Sequence, residues 1–167
     1  HNPLRSVTAP KVKRAKIDVD KYSALSDTLL DRLVADDDPD YCRWLMQFLG
    51  LRRAERLGLR WSDITGFNGK NPTMTVRGQL ARHDDGSWYL KATKTGKERK
   101  IALSEPWISA LRQHKKNQDA HRRDKKKWKP RKGFEDLVFL RPNGSFYTLN
   151  ADNLDWHRVL DRYGLPY

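Results

Sequence analysis

Beyond Asn71-Pro72 the apolar period of this chain switches from helical to two-residue. That switch confines the fold to helices combined with a small antiparallel sheet. Residues 73–80, 87–92 and 97–103 alternate as strands, and the turn formers Asp84-Asp85-Gly86 and Thr95-Gly96 lie between them, so the spacing predicts a three-stranded antiparallel meander. Ahead of the switch, Ser26 has the chemistry of a helix N-cap, with Leu25 and Leu30 placed as a hydrophobic staple. Leu29, Leu30, Leu33 and Val34 continue one apolar face, and Asp36-Asp37-Asp38-Pro39 closes it. A second helix runs over residues 40–49, with Tyr41, Trp44, Leu45, Phe48 and Leu49 on one face and Gly50 as the left-handed closing residue. Arg52 opens a short helix ending near Gly58. After the strands, Ser104-Glu105-Pro106 starts a helix that turns Trp107 or Ile108, together with Leu111, inward. A last helix over residues 150–162 presents Trp156, Val159, Leu160 and Tyr163. The expected class is α+β, mostly helical, with a small three-stranded antiparallel sheet.

The charge is concentrated rather than spread. The chain carries +13, of which residues 1–16 hold +5 and residues 121–132 hold +7, leaving the remainder nearly neutral. Two basic segments on a balanced body suit a polyanion that touches particular places, and nucleic acid leads that class. Residues 1–20, with Pro3, Pro10 and no periodicity, read as a basic interdomain linker, and residues 21–167 as the folded part. Lys125-Lys126-Lys127 reads either as phosphate contact, with Trp128 packing or stacking beside it, or as a solvated loop. The single cysteine, Cys42, excludes an internal disulfide and fits a reducing cytoplasmic setting. No apolar run has the length of a membrane span, the five histidines show no metal-ligand spacing, and no phosphate-cradling glycine loop occurs. Neither metal nor cofactor is expected.

The residues richest in chemistry are Gly50-Leu51-Arg52-Arg53-Ala54-Glu55, followed by Leu59, Trp61, Asp63 and Ile64. An arginine on a glycine-marked helix break is held by backbone geometry, and its planar guanidinium can bridge two non-bridging phosphate oxygens. Glu55, three residues on, faces the same way and can orient a neighbouring guanidinium or lysine. Further along, Thr93-Lys94-Thr95-Gly96-Lys97-Glu98-Arg99 puts a lysine on the second expected turn.

These two segments resemble the tyrosine recombinase, or phage integrase, family. Gly50-Leu51-Arg52 with the Leu59-Trp61-Ile64 anchor is similar to the motif of its first active-site arginine, and Thr93-Lys94-Thr95-Gly96 to the hairpin of its catalytic lysine. The resemblance implies site-specific DNA recombination through a covalent 3′-phosphotyrosine, with integration or excision of a phage or other mobile element. It assigns Arg52 to transition-state stabilisation, Lys94 to general-acid catalysis and Glu55 to support of the arginine. Arg53, Lys97 and Arg99 are expected DNA contacts beside them, and the basic charge of Lys125, Lys126 and Lys127, rather than the resemblance, puts those three forward as DNA contacts or a solvated loop. The implied partners are double-stranded DNA attachment sites, a homotetramer on DNA and an accessory directionality factor.

The family pattern also has a His-x-x-Arg box and a tyrosine nucleophile. No histidine here is followed three residues later by arginine, and none of the six tyrosines lies in the nucleophile's context. The expectation is therefore the N-terminal two thirds of an integrase-type catalytic domain, which binds DNA without cleaving it. A non-catalytic DNA-binding module and a type IB topoisomerase-like enzyme are the alternatives.

Overall fold

The computed structural model describes residues 19–92 and 98–166, with side chains from residue 24 onward. Helix α1 (Val19–Ala35) leads through an aspartate turn to α2 (Tyr41–Leu45), which tightens into a 3₁₀ turn at Met46–Leu49. Short helix α3 (Arg53–Leu57) and a second 3₁₀ turn (Trp61–Asp63) precede the strands β1 (Ile64–Thr65), β2 (Thr73–Val76), β3 (Gly78–Arg82), β4 (Trp88–Ala92) and β5 (Arg99–Ala102). Helices α4 (Glu105–Arg123) and α5 (Leu149–Arg162) complete the α+β architecture.

Helix α1 starts earlier than expected, so Ser26 lies within it rather than capping it. Thr28 Oγ1 already donates to the Ala24 carbonyl at 2.8 Å, the back-bond of a residue inside a helix. Interior serine costs a helix only tenths of a kcal/mol, so a serine alone does not mark a start. Phe48 also departs from the expected apolar face and is 40% exposed, while Met46 is fully buried. The cause is the 3₁₀ turn, which rotates each residue further around the axis than an α-helix does. Gly50 closes the turn at φ 70°, as its position predicted. Near the other end of the chain, Thr148 caps α5 by accepting the Ala151 N–H at 3.2 Å.

The three-stranded antiparallel sheet is present, but its membership differs from the expected meander. Its order is β1-β2-β5, with Met74 opposite both Ile64 and Ile101. The expected strand over residues 73–80 divides at Arg77. Its second half, β3, forms a separate hairpin with β4 in the register Leu80 opposite Leu90. At the bend Arg77 lies 3.2 Å from Asp63 and 3.4 Å from Glu98. Met74, Val76 and Leu80 keep the same sequence parity across the bend, with Gly78 between them, so a two-residue period cannot reveal it.

The main core lies between the three-stranded sheet, α2, α3 and α4, and the 137–140 run is buried in it, Leu137 bridging to Arg60. A second cluster joins α1 to α5 through Leu29, Leu33, Trp44, Val159 and Leu160. Ile108 and Leu111 are the inward residues of α4, with Trp107 half-buried. Among the described residues no helix is long and apolar enough to cross a membrane.

Helix α3 sits directly on β3. A Cβ on Gly58 would stand 2.7 Å from the Leu80 nitrogen, inside any tolerated contact. Gly58→Ala is therefore expected to destabilise the chain by ~1–3 kcal/mol, the usual cost of overpacking. Urea unfolding monitored by tryptophan fluorescence reads that loss, and an unchanged midpoint would mean that α3 and β3 separate freely.

Candidate active site on a helix break

Gly50, Leu51 and Arg52 form the link between the 3₁₀ turn and α3. Gly50 is left-handed, Arg52 is extended at φ −64° and ψ 146°, and Arg53 is the first helical residue. The Arg52 backbone N–H donates to Glu55 Oε2 at 2.9 Å, the carboxylate half of a capping box. A guanidinium has no acceptor, so the reciprocal half cannot form and the Arg52 side chain is left over. It is 80% exposed, and its nearest carboxylate oxygen, Glu55 Oε1, is 4.0 Å away.

Glu55 itself is buried and already engaged. The Arg99 guanidinium on β5 donates to it at 2.8 and 3.4 Å and to the Gly50 carbonyl at 3.4 Å. One carboxylate thus faces two guanidiniums, leaving net positive charge on an open surface. That arrangement fits an anion carrying several oxygens. Arg52 supplies a solvent-facing fork on a rigid backbone, and Arg99 ties the helix break to the sheet.

The opposite side of α3 is fixed by charges of which the sequence analysis singled out only Arg53. Asp152 on α5 is fully buried and accepts from Arg43 at 2.7 Å and from Arg56 at 2.6 Å. Arg56 also donates to the Arg43 carbonyl at 2.9 Å, and Arg53 Nε stands 3.7 Å from Asp152. Burial lowers the Arg56 pKa to about 10 against the pull of Asp152, so the group remains cationic at neutral pH. For Arg43 burial acts in the same direction, but Asp40, Tyr147 and Asp152 outweigh it and its pKa lies above the ordinary value. Arg43 also stacks on the rings of Trp44 and Tyr147, each 3.9 Å from centroid. The one sequence signal for this cluster was an arginine set between Cys42 and Trp44 inside an apolar helix.

The anchor after α3 is built as its residues suggest. Leu57, Leu59 and Ile64 are buried, and Trp61 Nε1 donates to Gln118 Oε1 at 2.7 Å. Asp136 receives the Ser62 hydroxyl at 2.6 Å, and its carbonyl receives the Trp61 N–H at 2.9 Å. The helix break is thereby held from the sheet, from α4 and from α5.

Lys94 and Lys97, with the Thr95-Gly96 turn, lie outside the described residues. Lys125, Lys126 and Lys127 are exposed on a turn past the end of α4. Asp124 accepts the Lys126 and Lys127 backbone N–H groups at 3.2 and 3.3 Å. Arg122 lies over the half-buried Trp128 ring at 5.6 Å, and the Lys129 N–H donates to the Asn143 carbonyl at 2.8 Å. Trp128 packs against the main core, so the turn is tethered at both ends. A cavity of about 470 Å³ between α1, α2 and α4 is lined by Leu33, Tyr41 and His114, among others, and includes none of Arg52, Glu55 and Arg99. Among the described residues no cluster of His, Cys, Asp and Glu could hold a metal ion.

No protein-family model and no curated protein matches the chain. Among solved structures it is similar to the Tn1549 transposon integrase in complex with transposon right-end DNA, at 25% identity and a TM-score of 0.69, covering 90% of this chain and 46% of that one. It is likewise similar to the same integrase in complex with circular-intermediate DNA, at 26% identity and a TM-score of 0.66, covering 94% and 47%. The chain spans just under half the length of those chains. Its fold is like that of part of a tyrosine recombinase catalytic domain.

Proposed function

We propose that this tyrosine-recombinase-like chain forms the Arg52-bearing part of an enzyme for site-specific DNA strand exchange. The observation that carries the reading is the exposed Arg52 fork on a locked helix break, above a carboxylate already neutralised by Arg99. During attack on a DNA phosphodiester, negative charge builds on the non-bridging oxygens, and a preorganised guanidinium stabilises it there. The tyrosine of the complete enzyme releases its hydroxyl proton to solvent and attacks phosphorus, a P–O bond to the tyrosine forms, and the bond to the 5′-oxygen breaks. Lys94 gives the departing 5′-oxygen its proton, and Glu55 keeps Arg52 in register. Reversal of the step by a 5′-hydroxyl from another duplex completes the exchange, with the diester energy conserved and no nucleotide cofactor consumed. Arg53, Lys97 and Arg99 contact the DNA near the cleaved phosphate, and Lys125, Lys126 and Lys127 contact phosphates farther along the duplex. Four protomers on two attachment sites, with an accessory directionality factor, form the working assembly.

Binding tests the first half of this reading directly. The 167-residue chain is expected to bind double-stranded DNA with an affinity set by phosphate neutralisation. For about six phosphates, log K falls against log salt with a slope of about −5. Fluorescence anisotropy across a salt series measures it. Replacing Lys125, Lys126 and Lys127 together by Gln is expected to flatten the slope by roughly two to three units. A slope near zero would exclude phosphate recognition by this surface.

A further inference from the structure

Helix α3 has five residues, too few to hold its own orientation, yet it carries Arg52 at its N-cap. Two carboxylates grip it from opposite sides. Glu55 ties it to Arg99 on the sheet, and Asp152 ties it to α5 through Arg56 and, more loosely, Arg53. Asp152 is fully buried, and its other oxygen is taken by Arg43 of α2, so it has no room to follow if α3 moves. Among the described residues the Arg52 guanidinium has one loose ion pair, to Glu55 Oε1 at 4.0 Å, so where it reaches from follows the placement of α3.

We infer that Asp152 is a positioning residue for Arg52, setting the angle of α3 through Arg56 and thereby the reach of a guanidinium that Asp152 never touches. The inference rests on the role proposed above for Arg52. An exposed side chain on a one-turn helix is useful to a transition state only when that helix is rigid. A buried charge network supplies rigidity that apolar packing does not, because each arginine hydrogen bond fixes direction as well as distance. An ordinary structural ion pair would affect folding alone; a positioning pair affects the rate of the folded protein.

The test uses the complete recombinase and a nicked DNA substrate that traps the cleaved state. Asp152→Glu keeps the charge and lengthens the side chain by one methylene, displacing α3 without leaving an unpaired arginine. Arg56→Lys keeps the charge and gives up one of the two hydrogen bonds, so it decides the question if Asp152→Glu fails to fold. Both are assayed at a temperature where circular dichroism shows them fully folded. The expected result is a cleavage rate lower by on the order of 10- to 10²-fold with the DNA Kd within twofold, as for a displacement of about 1 Å at a catalytic group. Rates equal to the unsubstituted enzyme in folded variants would overturn the inference, as would a loss that appears in Kd rather than in rate. Arg52→Ala run alongside separates the two levels. If it cleaves normally, the proposed function fails and this inference with it; if it is inactive while the Asp152 and Arg56 variants are fully active, this inference alone fails.

Discussion

Replacing Arg52 by alanine in the complete recombinase is expected to abolish DNA cleavage while leaving DNA affinity within several-fold. The side chain is 80% exposed, so its removal creates no cavity and leaves no buried partner unpaired. Glu55 keeps its bonds to the residue-52 backbone and to Arg99, so the helix break survives. What disappears is one fork on the non-bridging oxygens, worth roughly 3 kcal/mol or on the order of 10²-fold and more in rate. Arg53 is the internal control, since it leans toward Asp152 instead of standing clear at the break. Arg53→Ala is expected to be much milder. Single-turnover cleavage rates for both variants, with anisotropy for binding, read the difference. Equal losses, or losses confined to binding, would reassign the catalytic arginine.

Lys94 carries the second large effect, because a general acid can be made unnecessary. Alkoxide is a poor leaving group near neutral pH, and the proposed task of Lys94 is to protonate the 5′-oxygen as it departs. Sulfur in place of that bridging oxygen leaves as thiolate without help, thiols being far more acidic than alcohols. Lys94→Ala is expected to slow cleavage of normal DNA by on the order of 10²- to 10⁴-fold. On the sulfur-substituted strand it should recover most of the unsubstituted rate. Arg52→Ala should not recover, since its contacts are to oxygens that the substitution leaves in place. Equal impairment of the lysine variant on both substrates would make its role one of positioning.

The legible parts of this molecule were those written in backbone chemistry. Gly50 marks a left-handed closure because glycine adopts positive φ freely, and the break it makes is where Arg52 stands. The helical faces of α4 and α5 follow from apolar spacing alone, while the Leu59, Trp61 and Ile64 anchor is legible through the motif it shares with the resembled family. The three-residue spacing of Glu55 places it beside Arg52, though its bond to Arg99 joins residues 44 positions apart, a contact no local pattern encodes. The sheet was misread at Arg77, where alternation persists while the strand changes partners. Phe48 was misread because helical type changed beneath a periodic pattern. Arg43, Arg56 and Asp152 escaped because charged residues on helices are ordinarily solvated. Only their tertiary pairing, across 109 and 96 residues, shows that they are core.

DNA cleavage at the surface around Arg52, as proposed above, proceeds through a covalent protein intermediate. Its most direct test is mass spectrometry of the complete recombinase after incubation with a nicked duplex that loses a short oligonucleotide on cleavage. The expected result is a protein mass raised by that of the retained 3′-phosphoryl strand, with the added mass on a tyrosine, and no such species for Arg52→Ala. A protein that binds this DNA and stays at its unmodified mass, or an adduct that forms equally well without Arg52, would contradict it.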